Sequence, residues 1–131
     1  MTNEMVNTSG TGKNTKVPEA VLGHFNWGAF LGTWIWGLGN NTYITLLMFI
    51  SVIAAIIPVI GFIVPLGLAI WFGIKGNEWA WQNKKFESVK KFHEYQVLWA
   101  KIGIGIVAVL AVLQFLALAQ LAAAFLPYLK S

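Results

Sequence analysis

The sequence predicts an all-α integral membrane protein, built from an interfacial helix, a short transmembrane hairpin, an amphipathic helix and one long C-terminal transmembrane helix. Three observations carry this. From Ala20 to Ile74 the chain has no Lys, Arg, Asp or Glu, and from Ile102 to Leu129 it again has none. The whole is 57% hydrophobic and 11% charged, whereas soluble domains carry about 25% charged residues. At 131 residues it is long enough for one small domain, with too few polar side chains to cover itself in water.

The N-terminal segment reads as a flexible polar tail, residues 1–19, ahead of a single helical membrane domain, residues 20–131. Asn, Thr, Ser and Gly dominate the tail and Pro18 closes it; such a composition buries too little apolar surface to order itself. The first twenty residues also lack the apolar core of a signal peptide, so insertion is expected to use an internal segment.

"FNWGAFLGTWIWGLGNN" (Phe25–Asn41) comes next. Tryptophan and glycine together suit the boundary of a bilayer, where an indole is half dry and its N–H still finds a partner. Residues 25–40 are therefore expected to form an interfacial helix, with Trp27, Trp34 and Trp36 in the headgroup region. Gly28 and Gly32 form a G-x-x-x-G pair that would admit a neighbouring helix closely; the plainer reading is local flexibility.

Residues 42–57 and 62–74 are apolar runs separated by "PVIG" (Pro58–Gly61), a turn signal. Each leg spans roughly 20–24 Å as a helix, against about 30 Å of hydrocarbon. The hairpin either extends through its flanking aromatics or dips in without crossing, and in both cases Asn40 and Lys75 end on the same side.

Residues 77–99 read as an amphipathic segment. Phe86, Val89, Phe92, Tyr95 and Trp99 share one face, with Lys84, Glu87, Lys90, Lys91 and Glu94 mostly opposite, and Glu87–Lys91 and Lys90–Glu94 are i,i+4 pairs of opposite charge. An aromatic face beneath a lysine-rich one suits a helix lying in the membrane plane, with anionic lipid at Lys84, Lys90 and Lys91; Lys85 sits off the polar face and would have to snorkel. Residues 102–128 form the last transmembrane helix, ended by Pro127 and Tyr128. Its two polar residues, Gln114 and Gln120, face about 120° apart, which favours hydrogen bonding to neighbouring helices over lining a pore.

Lysine placement gives the orientation. Residues 75–101 hold six lysines, the tail two, the hairpin turn none and the C-terminal end one. Positive-inside bias puts the N-terminus and residues 75–101 in the cytoplasm and the C-terminus outside, in a multi-pass protein of the inner membrane.

The residues that could carry chemistry are few. There is no cysteine, arginine or aspartate. His24 and His93 lie 69 positions apart and no ligand set accompanies them, so no metal site and no cofactor is expected. Ser51 and Ser88 sit in no nucleophile motif, and five scattered glutamates do not make a two-metal cluster; no catalytic residue is assigned. Basic balance without arginine makes nucleic acid a poor partner. The most unusual polar stretch, "GNEWAWQNKKF", puts Lys75, Asn77, Glu78, Trp79, Trp81 and Gln82 where a transmembrane leg emerges. It reads either as a helix exit with aromatic anchors and capping amides, or as a headgroup or partner site.

The two aromatic stretches resemble a group of small bacterial inner-membrane proteins of unknown function. The resembling positions are Trp27, Gly28, Ala29 and Phe30 at the entry and Gly76, Asn77 and Trp79–Trp81 at the exit, within residues 24–100. The resemblance implies an all-helical membrane fold and no established activity. Some related sequences carry nuclease-type names, for which these residues offer no chemistry. The expected function is therefore non-enzymatic: a small protein that self-associates or binds a membrane partner. The alternatives are an oligomeric channel, which Gln114 and Gln120 would serve, and a membrane-bound enzyme acting on lipid or nucleic acid, which would need Glu78 or Glu87 with His93.

Overall fold

The structure is a computed structural model and describes residues 6–131. Among these residues it is helical throughout, without strands. In order come α1 (Glu19–Leu22), α2 (Trp27–Gly39), a 3-10 segment (Tyr43–Phe49), α3 (Ile50–Ala54), α4 (Ile60–Asn83) and α5 (Val89–Leu129). Two of these, Ile60–Asn83 and Val89–Leu129, are long and apolar enough to cross a membrane.

The segment expected to be one interfacial helix is a helical hairpin. Asn26 caps its start, its side-chain oxygen accepting from the Ala29 N–H at 2.9 Å. Thr33 then breaks the helix, with φ 43° and ψ −114°. A straight helix would set Asn26 and Asn40 about 21 Å apart, yet both side chains bond the amide of Gln96. The two half-helices, before and after Thr33, thus fold back on each other. Their tip reaches Gly103, where an added Cβ would lie 2.8 Å from Leu31 Cβ. That is seven residues, about 10 Å, along α5 from Gln96.

The folded pair wedges between α4 and α5. On the α4 side, the Asn26 N–H donates to Gly73 O at 2.8 Å, Phe25 lies on Gly73, and a Cβ on Gly76 would stand 2.8 Å from Ala29 Cβ. On the α5 side, a Cβ on Gly28 would stand 2.9 Å from Trp99. Glycine is required at these crossings because the backbones approach within one side-chain layer.

The hairpin legs differ from their expected bounds. The first is mostly 3-10, with Thr45 Oγ1 bonding back to Thr42 O and Gly37 tucked under both threonines. The turn occupies residues 55–59, where Val59 takes φ 71° and Gly61 packs on Ala55. The second leg continues past Ile74 without interruption to Asn83.

The amphipathic segment, expected as one unit over residues 77–99, is split. Residues 77–83 end α4, and residues 84–88 form a loop. The helix restarts at Val89, where Ser88 Oγ accepts from the Lys91 N–H at 3.1 Å. Glu87 therefore lies outside the helix, and the ion pair formed is Lys91–Glu94 at 3.4 Å rather than Glu87–Lys91 or Lys90–Glu94. The aromatic face lies on protein instead of in a membrane plane: Phe86 and Phe92 are buried with Trp81, and Tyr95 and Trp99 pack beside them. Lys85 is exposed in the loop. From Val89 the helix runs unbroken to Leu129, so the amphipathic end and the last long apolar segment are one rod of 41 residues, about 60 Å long.

Residues 6–18 do not hang free. The Gly10 and Gly12 N–H groups donate to Trp81 O and Gln82 O at 2.7 and 2.9 Å, serving carbonyls that the end of α4 leaves open. Both glycines have positive φ, 73° and 104°. Ser9, fully buried, accepts from the Phe86 N–H and donates to Phe86 O. The segment is held by polar contacts rather than apolar burial, which its composition concealed. The part of the expected tail at residues 1–5 lies outside the described residues.

Thr33 and Gly28 make opposite predictions. Thr33→Gly removes a strained non-glycine dihedral and raises stability by about 1 kcal/mol. Gly28→Val forces α2 from α5 and lowers stability by about 1–3 kcal/mol. Gly105→Val, where an added Cβ meets nothing within 4 Å, stays near wild type. Thermal midpoints of the purified variants in one detergent check all three.

Candidate functional site

The polar residues that the fold gathers most tightly surround Gln96. Its Oε1 accepts from Asn26 Nδ2 at 2.9 Å and from Trp36 Nε1 at 2.9 Å, and its Nε2 donates to Asn40 Oδ1 at 2.8 Å. Asn26 Nδ2 also donates to Asn77 Oδ1 at 2.8 Å, Asn77 Nδ2 to His24 O at 2.9 Å, and Asn40 Nδ2 to Trp36 O at 2.9 Å. Four amides and one indole thus tie both half-helices of α2 to α4 and α5. All five side chains are buried, and no buried side-chain nitrogen or oxygen among the described residues lacks a partner. Just outside the cluster, Tyr95 Oη donates to Gly39 O at 2.7 Å.

Trp36 corrects the expected aromatic belt. It is fully buried and its indole N–H serves Gln96, while Trp27 is exposed and Trp34 packs on Phe49. The three tryptophans of one segment therefore occupy three different environments, because the break at Thr33 turns the second half-helix inward.

The polar exit stretch does not converge on one surface. Lys75 and Glu78 pair with each other at 2.9 Å on an open face, a contact of small energetic weight at the surface. Asn77 turns inward to Asn26. Trp79 packs against Trp71 and Phe72. Trp81 is buried, with its N–H on Thr8 Oγ1 at 3.0 Å and its ring stacked on Phe86. Gln82 reaches Lys13 O at 3.3 Å. These are anchoring and packing roles, spread around the circumference of α4.

Of the glycine pair, Gly28 meets α5 while a Cβ on Gly32 would meet Trp36 of its own hairpin at 3.2 Å. Gln114 and Gln120 are exposed on the free part of α5. Among the lysines, Lys84 lies 5.4 Å from the Tyr95 ring centre, and Lys90 and Lys91 are exposed.

Beside the amide cluster lies a cavity of about 220 Å³, bounded by His24, Trp27, Asn77, His93, Gln96 and Val97 among others. The two histidines, remote in sequence, meet at its rim with ring centres 5.9 Å apart and planes at 78°. Among the described residues no group of three or more His, Asp or Glu side chains is placed to hold a metal. Ser51 touches Met48 and Ser88 caps α5.

The sequence reading passed over Asn26, Trp36, Asn40 and Gln96 as one unit. A signal for Gln96 existed: it lies on the stripe Phe92, Gln96, Trp99, Gly103, a lone amide in an otherwise apolar helical face. Asn26 and Asn40 flank the Trp-Gly segment as helix-capping residues do, but their meeting needs the fold-back.

Gln96→Leu is expected to leave Trp36 Nε1 and Asn40 Oδ1 without partners and to lower stability by about 2–5 kcal/mol. Unfolding followed by tryptophan fluorescence, with Lys85→Gln in the exposed 84–88 loop as the comparison, checks it. Lys85→Gln is expected to stay within about 0.5 kcal/mol of wild type.

Comparison of the chain with family models, with curated proteins and with solved structures returned no match.

Proposed function

We propose that this chain is a non-enzymatic integral membrane protein that associates with itself or with a membrane partner through the lipid-embedded length of α5. One observation carries the reading. From Ile104 to Leu129 every residue but Ile106 is exposed, and apart from Gln114, Gln120 and the terminal Tyr128 the sequence there is apolar all round. A helix apolar all round is stable only when something apolar surrounds it, and 26 residues, about 39 Å, exceed the thickness of a hydrocarbon core. Ile60, Phe62, Ile63, Leu66 and Ile70 on α4 are exposed in the same way.

The polar end of the molecule supports an orientation. Lys13, Lys16, Lys84, Lys85, Lys90 and Lys91 lie on the N-terminal segment, the α4–α5 loop and the start of α5, which pack together. Positive-inside bias assigns that end to the cytoplasm and Ser131 to the far side. There, Lys90 and Lys91 are open to anionic headgroups. Gln114 and Gln120 favour association, since an amide in hydrocarbon gains about 1–2 kcal/mol by bonding to another helix. This reading agrees with the small bacterial inner-membrane proteins that the entry and exit segments resemble.

The chain has no native cysteine, so single substitutions report sidedness cleanly. Ser131→Cys is expected to react with an impermeant maleimide on intact cells, and Lys85→Cys only after lysis. Mass measurement in nanodiscs is expected to give a dimer or larger assembly, or a stoichiometric partner, and Gln114→Leu/Gln120→Leu to weaken it. A lone monomer of wild type, or labelling of both cysteines from the same side, would overturn the proposal.

A further inference from the structure

We infer that His24 and His93 form a two-imidazole binding site for a divalent transition-metal ion of borderline softness, such as Zn²⁺ or Cu²⁺, at the mouth of the 220 Å³ cavity. The geometry suits one ion held between the rings. A metal–nitrogen bond of about 2.0–2.1 Å puts a ring centre about 3.2 Å from the metal. Two rings on one ion then have centres about 5.2 Å apart at a tetrahedral angle and about 6.4 Å apart in line. The observed 5.9 Å lies between these limits. The rings now meet edge to face, so holding one ion between them requires both to turn about χ2, a broad torsion for histidine.

Both positions are held by the surrounding fold. His24 lies in the link before α2, its carbonyl gripped by Asn77 Nδ2, with Phe25 on Gly73 and the Asn26 N–H on Gly73 O directly after it. His93 stands on α5 between buried Phe92 and the Gln96 cluster. The amide network that ties α4 to α5 therefore also sets the distance between the imidazoles, and pre-positioned ligands lower the ordering cost of binding.

The two imidazoles are the groups at the cavity that are left over by the amide network. Asn26, Asn77 and Gln96 direct their amide hydrogens at one another, at His24 O and at Asn40. Neither imidazole meets a hydrogen-bond partner among the described residues. Imidazole ring nitrogens are the commonest protein ligands for such ions. His24 is exposed and His93 half-buried, so water completes the coordination. The ion would bridge the α1–α2 link and α5.

The test uses tag-free protein in detergent micelles. Calorimetric titration with Zn²⁺ is expected to show one ion per chain. His24→Gln and His93→Gln, which keep polar side chains at the rim, are expected each to weaken binding by about tenfold or more. The double variant should bind no stoichiometric ion, with thermal midpoints of the metal-free proteins unchanged. Cu²⁺ electron paramagnetic resonance should show coupling to two imidazole nitrogens, falling to one in either single variant. Absence of stoichiometric binding by the wild type, or equal binding by the double variant, overturns the site.

Discussion

The structure depends on one constraint: where its polar end meets its apolar length, buried polar groups need partners within the protein, and every buried side-chain nitrogen and oxygen among the described residues has one. The cluster around Gln96 meets it with uncharged groups. An amide carries both donors and acceptors, so four amides and an indole close on one another without a counter-ion, and none bears the desolvation penalty of a buried charge. Such a network is strong only when complete, and here its members come from the cap before α2, the second half-helix and its end, α4 and α5. The relative placement of these elements is the condition for its completion.

From that constraint the shape follows. Asn26 and Asn40 must both reach Gln96, so α2 folds back at Thr33 and becomes a wedge only two half-helices wide. A wedge that short keeps α4 and α5 together over one polar layer and leaves the rest of α5 standing clear. Glycines at positions 28, 73, 76 and 103 let the wedge seat between the two long helices. The N-terminal segment then finishes the polar end by supplying N–H groups to the last carbonyls of α4 and a hydroxyl to the backbone of Phe86. The same division separates a lysine-bearing head with a small cavity from an exposed apolar stem long enough to cross a membrane.

Much of the local structure was legible from pattern. The long uncharged tracts marked the apolar parts of α4 and α5, PVIG marked the turn, and the apolar positions 86, 89, 92, 95 and 99 marked side chains that pack together, although Phe86 precedes the helix. The partner of that face was not legible, because hydrophobic periodicity says that a stripe is buried without saying against what. Protein and bilayer interface ask for the same aromatics, and the choice fell to protein once Trp81 and Phe86 were in reach. The exit stretch was ambiguous for a related reason. Asn77, Trp81 and Gln82 look alike as ligand-binding or capping residues until their rotation about α4 is known. His24 and His93 seemed unrelated because 69 positions of sequence say nothing about a distance that two chain reversals determine.

By itself the sequence determined composition-driven properties: helical character, the extent of the uncharged tracts, the lysine asymmetry and the absence of thiol chemistry. These are sums over local residues and need no knowledge of neighbours. Tertiary structure alone decided the break at Thr33, the seating of the N-terminal segment, the inward turn of Trp36 and the meeting of the histidines. Each of these is settled by polar groups finding partners far away in the chain, and hydrogen-bond complementarity at such range has no periodic signature to read.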